Sequence, residues 1–373
     1  MALRHLYTPI LKGKTNDLKA LARLPADIHP LIKPLLEPPA PKKGETIDES
    51  LEGFVNKLVT HLPARPVFVD FYWWADDQRT DSGHLAAIQG FDTLLANGRP
   101  VTPVYAVGRG EESWLKLPRV VRQHGKGFCF RVDADQLEDA AEETVEEIES
   151  RCRELALDSS ETDIIVDLRD VRQANWRALR RVCVDFLALL TPGKSYRSIA
   201  IAGSSALKDV GAAPVPVDGS LSIERVELRL WCALLFDQDG ATSPVFADYA
   251  VVHPDFSASG PNPNQNAKIR YTHGSATTYY RGHRLYRPVK DFEQYRDLAR
   301  SIVHSDNYAG SKFSFGDSYI SQKAHGEGGT GSPGTWVLAD INHHVTYVTR
   351  RIPQLAPQVL RVPSESALEA LVL

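Results

Sequence analysis

The amino-acid sequence predicts an α/β fold: a (β/α)8 TIM-like barrel with a C-terminal elaboration packed over or beside the barrel mouth. Three observations predict it. Eight short apolar runs, the first YTPILKGK and the last SPVFADYAVV, recur between residues 7 and 252. Each run hands over to a stretch of helical period, and each ends in charged or polar residues. Parallel strands covered on both faces need continuous apolar runs. Eight strand–helix units close a barrel whose sites lie at the carboxyl ends of its strands.

Taken in order, the first strand is Tyr7 to Leu11, ending in Lys-Gly-Lys, with a helix from about Asn16 to Leu24 that Thr15 caps. The second strand, Ile32 to Leu36, runs into EPPAPKKGE, a loop because three prolines and a glycine cannot extend a ladder. Leu51, Phe54, Val55, Leu58 and Val59 form the apolar stripe of a helix from Asp48 to His61. The third strand, Pro66 to Tyr72, precedes a helix from His84 to Ala96, and the fourth, Val101 to Val107, precedes one from Trp114 to Gln123. Phe128 to Val132 is the fifth strand. Gln136 to Leu157 is the longest predicted helix, with an acidic outer face that reads as a solvated surface. Ile164 to Leu168 and Ser198 to Ala202 are the sixth and seventh strands, separated by a helix from Trp176 to Leu190. The loop GAAPVPVDGS leads to a helix from Ile223 to Phe236, and Val245 to Val251 is the eighth strand.

Residues 1–255 are thus assigned to the barrel and 256–373 to the elaboration. In the latter, KIRYTHGSATTYYRGHRLY predicts a hairpin, Phe292 to Val303 a helix, and His343 to Arg351 a closing helix. The glycine-rich GEGGTGSPG reads as a flexible lid, since no lysine follows it at phosphate-loop spacing.

Bulk composition narrows the function classes. With 373 residues, 43% apolar content and a net charge of −4, the chain has a sizeable core and no overall basic footprint for nucleic acid. The four cysteines, Cys129, Cys152, Cys183 and Cys232, are scattered without a CxxC and suit a reducing compartment. The first residues contain no apolar stretch of signal-peptide length, and no window is long enough to span a bilayer. The expectation is a soluble, cytoplasmic protein with no membrane partner.

Side chains two apart on a strand share a face. The strand tails therefore offer Lys12 with Lys14, Asp70 with Tyr72, Arg131 with Asp133, and Asp167 with Arg169 as pairs, with Glu37 on the face of Lys33 and Leu35. Lys12, Glu37, Asp70 and Asp167 are the candidate catalytic residues. Lys14, Arg131, Asp133, Arg169 and Asp248 are candidate ligand contacts. Gly203 with Ser204 and Ser205 stands where barrels often bind phosphate, after the seventh strand. The bland alternative is a satisfied layer of ion pairs closing the barrel.

The tail adds Arg270, His273 and Arg281 among several tyrosines, a mixture suited to phosphate contacts and base stacking. Its equally plain alternative is a hairpin whose aromatics pack on the barrel. Hairpin arms of about eight residues reach roughly 26 Å, so Arg270 or His273 is expected near the charged layer, with Asp317 as a further candidate there. His343 and His344, adjacent on a helix, point about 100° apart, which disfavours a shared metal. One of them is expected to hold the glycine-rich loop.

YTPILKGKTNDLKAL with IKPLLE, and later RYTHGS, KFSFGDSYI and GSPGTWVLADINHHV, resemble the corresponding parts of the beta family, named after a beta protein of a T-even bacteriophage. The resemblance spans Tyr7 to about Val348. It implies phage or bacterial proteins in mobile or defence-associated neighbourhoods, with a neighbouring protein partner open, and no catalytic mechanism to carry over.

The first functional reading is a phage–host conflict protein that binds an anionic ligand, a nucleotide or a nucleic-acid end, at the barrel mouth. The second is a metal-dependent phosphoester hydrolase or nuclease, with Asp70, Asp133, Asp167 or Asp248 holding Mg2+. A third, a carbonyl or pyridoxal-phosphate enzyme using Lys12, lacks a legible partner for the pyridine nitrogen. Beyond Mg2+ in the second reading, no cofactor is read from the residues.

Overall fold

Eight parallel strands close on themselves in the computed structural model, which describes residues 5–211, 214–237, 243–255, 264–286, 288, 291–359, 361 and 364–372. The strands and helices alternate as β1 (Tyr7–Leu11), α1 (Thr15–Ala22), β2 (Leu35–Leu36), α2 (Ile47–His61), β3 (Phe68–Val69), α3 (Ala86–Ala96), β4 (Thr102–Ala106), α4 (Glu111–Trp114) and α5 (Leu117–His124). They continue as β5 (Phe128–Asp133), α6 (Ala134–Asp139), α7 (Ala141–Leu155), β6 (Thr162–Asp170), α8 (Trp176–Leu190), β7 (Ser198–Ser204), β8 (Gly219–Glu224), α9 (Val226–Asp237) and β9 (Val245–Asp248). The elaboration comprises β10 (Asn266–His273), β11 (Ala276–Arg284), α10 (Gln294–Val303), α11 (Phe315–Ala324), α12 (Pro333–Val359) and α13 (Glu365–Val372). The ring runs β1 through β7 in order and closes through β9, which pairs with both β7 and β1.

Period-two alternation sorts each strand into an outward set under the helices and an inward set. Ile10, Leu35, Phe68, Val104, Cys129, Ile165, Ala200 and Val245 form the apolar middle of the interior. Below it, at the amino-terminal end, Asp163 gathers Lys33 at 3.0 Å, Arg197 Nε at 3.1 Å and Ser198 Oγ at 2.6 Å. Above it, two residues further along each strand, lie Lys12, Glu37, Asp70, Arg131 and Asp167. The interior is therefore an apolar plug between two ionic layers.

The elements depart from the sequence reading in four places. Gly219–Glu224 is a strand, β8, and not a loop leading into a helix; it leaves the barrel to pair antiparallel with β11 in the sheet β10-β11-β8. Its signal was present, since Leu221 and Ile223 alternate with the more exposed Ser220 and Ser222. The acidic helix is two helices, α6 and α7, divided at Ala140, whose φ and ψ are −146° and 38°. A helix, α11, follows Lys312 where only a glycine-containing segment was read. The last predicted helix is 27 residues long, begins at Pro333 and passes through Pro353 and Pro357. Proline suits a first helical turn, while Ser332 Oγ accepts from Thr335 N. Beyond Pro353 the helix remains anchored by buried Leu355 and Val359. The expected start of the elaboration at residue 256 lies outside the described residues, and β8 ties the earlier segment into the later sheet.

The α12 helix packs on α1, α9, α11 and β10. At its crossing with α11, an added Cβ on Gly316 would lie 2.3 Å from Ala339 O and 3.0 Å from His343 Cβ. Backbone cannot yield there as a flexible side chain would, so Gly316→Ala should cost about 1–3 kcal/mol through overpacking. A urea-unfolding midpoint equal to wild type would contradict that close approach. Among the described residues, no helix is long and apolar enough to cross a membrane.

Candidate anion-binding site at the barrel mouth

The upper layer is organised around one guanidinium. Arg131 at the end of β5 is fully buried. Its Nη2 donates to Glu37 Oε1 at 2.7 Å, its Nη1 to Asp70 Oδ2 at 2.8 Å, and its Nε and Nη2 to Asp167 Oδ2 at 3.0 and 2.5 Å. All three carboxylates are likewise buried. Lys12 Nζ completes the layer, donating to Glu37 Oε2 at 2.5 Å and to Pro254 O at 2.9 Å. The five strand-end residues thus converge at one mouth, as their parity requires. Burial pushes the Lys12 ammonium below its ordinary range, against the pull of Glu37. For Glu37, burial would raise the carboxyl, but Arg131 and then Lys12 outweigh it and hold the group at about 2.

Two residues absent from the sequence-derived set complete the layer. Tyr249 donates its hydroxyl to Asp167 Oδ2 at 2.5 Å and accepts from Arg131 Nη2 at 2.8 Å. Trp73 Nε1 donates to Glu37 Oε2 at 3.1 Å, and Lys12 Nζ stands 4.3 Å from the centre of a Trp73 ring. Tyr72 roofs the centre, its ring 4.2 Å from the Arg131 guanidinium carbon and 4.8 Å from that of Arg169. Arg169 adopts φ 57°, uncommon for a residue with a side chain. This conformation accompanies a break in the β6–β7 register and places Nη1 3.1 Å from Tyr249 OH and Nη2 2.7 Å from Asp255. Asp133 is half-buried at the rim and caps α6 through Gln136, and burial raises its carboxyl.

The open space lies beside this roof. A cleft of about 890 Å3 is bounded by the Lys12–Asn16 turn, the Pro38–Glu45 loop, and Ser50, Phe54 and Lys57 of α2. Five lysines line it (Lys12, Lys14, Lys42, Lys43 and Lys57) against one acid, Glu45, and Trp73 forms part of its wall. Gly13 makes the turn possible: its φ is 64°, and an added Cβ would stand 2.8 Å from Phe54. Lys12 belongs both to the buried layer and to this cleft. Lys14 lines the cleft and stands outside the layer, and burial lowers its ammonium despite Asp17.

Several candidates are placed elsewhere. Asp248 has the outward parity on β9 and accepts from Tyr7, Arg225 and His344 beneath the helices. Ser205 Oγ donates to Glu227 and accepts from Val226 N, at the start of α9, while Ser204 Oγ accepts from Ala206 N. Their hydroxyls serve the local turn. Arg270 pairs with Asp340 of α12 at 3.2 Å, away from the charged layer where it was expected. His273 contacts Thr278 within its own hairpin, and Arg281 donates to Val215 O. Asp317 accepts from Tyr271 and Ser314 and contacts His343 at 2.8 Å. The two histidines serve the packing of the elaboration: His343 ties α12 to Asp317 of α11 and Thr272 O of β10, while His344 spans Thr272 Oγ1 and Asp248 of the barrel. Neither histidine holds the glycine-rich loop by these bonds, because both side chains point into the packed interface around β10.

Tyr249 was legible from parity, since Val245, Ala247 and Tyr249 share a face and Asp248 does not. Lys42 and Lys43 were legible only as a loop, because nothing in the sequence brings that loop next to Lys12 and Lys57.

A model of the Beta protein family matches residues 7–350. No curated protein matches the chain. Among solved structures the chain is similar to an alanine racemase of Clostridium difficile 630 in complex with cycloserine, at 9% identity and a TM-score of 0.35. That alignment covers 74% of this chain and 61% of the racemase, so the chain spans less than two thirds of the racemase's length. A likeness this distant transfers no residue role, and the barrel rests on its own strand order. The family match, by contrast, runs from the first residue of β1 into α12, and the chain belongs to the Beta protein family.

Proposed function

We propose that this protein acts in phage–host conflict by holding an anionic ligand, a nucleotide or a nucleic-acid end, in the lysine cleft beside the barrel mouth. The observation that carries the reading is the lining: five lysines against a single acid, around about 890 Å3, in a chain whose net charge is −4. Ligand pockets commonly measure about 300–1,000 Å3, so a nucleotide fits. Ammonium groups on a loop and a helix face suit phosphate as point charges. Trp73 in the same wall offers a base a surface for stacking, worth about 1–3 kcal/mol in single-stranded complexes. The resemblance to phage beta proteins supplies the biological context.

The phosphoesterase reading is less well supported. Glu37, Asp70 and Asp167 converge on Arg131, whose guanidinium takes the place a divalent ion would need. Among the described residues, no group of three His, Cys, Asp or Glu side chains is arranged to hold a metal ion. This donor set does not fit Mg2+, which favours octahedral oxygen ligation.

Calorimetry with ATP and with a 5′-phosphorylated single-stranded 10-mer tests the proposal. Lys42→Glu with Lys43→Glu should weaken both by at least about tenfold, the 1.4 kcal/mol step of affinity arithmetic, and should flatten the salt dependence. Trp73→Ala should weaken them further while leaving inorganic triphosphate unaffected. Wild-type affinity in the double lysine variant would place the ligand elsewhere. Loss of phage restriction in that variant, with normal protein levels, would link the cleft to the conflict role.

A further inference from the structure

We infer, resting on the proposal that the lysine cleft holds an anion, that its ligand is a free nucleoside di- or triphosphate and not the end of a nucleic acid. The cations of the cleft sit on separate elements: Lys14 on the turn after β1, Lys42 and Lys43 on the Pro38–Glu45 loop, and Lys57 on α2. Lys42, Lys43 and Lys57 are exposed and form no ion pair among the described residues. Lys14 is crowded: burial, then Lys12 and Lys42, lowers its ammonium against the pull of Asp17. A single terminal phosphate carries about −1.5 to −2 and answers one point of this lining. Two or three linked phosphates answer cations on several elements at once. The turn after β1 adds neutral donors. Lys14 N is taken by Asp17 Oδ2 at 3.1 Å, so the start of α1 offers its side chains. Thr15 Oγ1 and Asn16 Nδ2 line the cleft and make no hydrogen bond among the described residues.

A polymer would have to continue across the rim. Between the lining residues Glu45 and Ser50 the chain carries Asp48 and Glu49. Asp48 Oδ2 accepts from Asp81 N at 2.8 Å, which draws the acidic loop of Asp76, Asp77 and Asp81 to that edge. Arg79, the cation of that loop, is paired with Glu112 at 2.7 Å. On the α1 side the first turn of α12 abuts the cleft, since an added Cβ on Gly334 would stand 2.5 Å from Asn16 Nδ2. The whole chain is at −4 although the cleft lining is positive, so the surface beyond it is more acidic still. Nucleic-acid affinity grows with the number of phosphates neutralised, and phosphates beyond the first would meet carboxylates here. A compact polyphosphate gathers its charge without leaving the lysines.

Calorimetry of the full chain without divalent ions, using ATP, ADP, AMP and a 5′-phosphorylated single-stranded 10-mer, tests this. ATP and ADP should bind at least about tenfold more tightly than AMP, and the 10-mer no more tightly than AMP. Lys14→Gln should weaken ATP more than AMP, narrowing the ratio between them. Glu45→Gln keeps an acceptor for Lys42 N and removes the acid of the lining. It should tighten ATP roughly threefold, the size expected of an exposed charge, a gain that misfolding cannot produce. Equal affinity for ATP and AMP, a 10-mer as tight as ATP, an unchanged ratio in Lys14→Gln, or weaker ATP binding in Glu45→Gln would overturn the inference while leaving the cleft an anion site. Binding of none of the four ligands would remove the anion site as well.

Discussion

Replacing Arg131 by methionine should destabilise the protein by about 3–5 kcal/mol, because removing one partner of a buried ionic group strands the others. Glu37, Asp70 and Asp167 would remain fully buried without the cation they share. The pH dependence should change sign. In the wild type, Glu37 is held at about 2 against an ordinary 4.5, so its stabilisation is complete above 4.5 and is lost as pH falls towards 2. That linkage is on the order of 3 kcal/mol. Without Arg131 the largest lowering influence is gone, Lys12 alone among the cations of the layer opposes burial, and the Glu37 carboxyl rises. Acidification from pH 7 to 5 then protonates it and restores stability. Urea midpoints of both proteins at pH 5 and 7 report this directly. A variant with the wild-type midpoint, or one that weakens over that interval, would show that Arg131 is not the counter-ion of the layer.

The same layer shows what the sequence could convey. Strand positions followed from continuous apolar runs, and the inward-facing set followed from parity. Lys12, Glu37, Asp70, Arg131 and Asp167 were therefore placed at one mouth by local rules alone. Parity was also the rule whose neglect misplaced Asp248: its charge drew attention, although Ala247 and Tyr249 hold the inward positions. Long-range packing was less accessible. The Pro38–Glu45 loop carries lysines whose partner across the cleft is set by how α2 lies against the Lys12–Asn16 turn, and no periodicity encodes that. Helix α12 was read only from His343 to Arg351, whereas it begins at Pro333 and buried Leu355 and Val359 carry it beyond Pro353. The polar residues of the elaboration, Arg270, Asp317, His343 and His344, looked chemical because they are charged and close in sequence. Their partners are other residues of the elaboration and, for His344, Asp248 of the barrel wall, a relationship that exists only after β10 and α12 dock.

Asp248→Ala should be nearly as damaging as the loss of Arg131, about 3–5 kcal/mol, but at a different place and without effect on the mouth. Asp248 accepts four hydrogen bonds: Tyr7 OH at 2.5 Å, Ala250 N at 2.8 Å, His344 Nε2 at 2.9 Å and Arg225 Nη2 at 3.1 Å. Burial pushes the His344 imidazole down, so it acts as a neutral bridge, donating from Nε2 and accepting from Thr272 Oγ1 through Nδ1 at 2.7 Å. This chain of bonds runs from the outer wall of the barrel through α12 to β10. Removing its carboxylate leaves Arg225, among the described residues, with Glu227 at 3.4 Å as its remaining ion-pair partner, and unpairs the donors of Tyr7 and His344. Hydrogen exchange should therefore accelerate first in α12 and the β10–β11 hairpin, ahead of β3 to β6. Asp248→Asn, which keeps an acceptor oxygen, should lose less. ATP affinity per folded molecule should match wild type in both variants, since Asp248 faces away from Lys12 and Arg131. Wild-type melting combined with lost ATP binding would return Asp248 to the ligand site and contradict its outward parity.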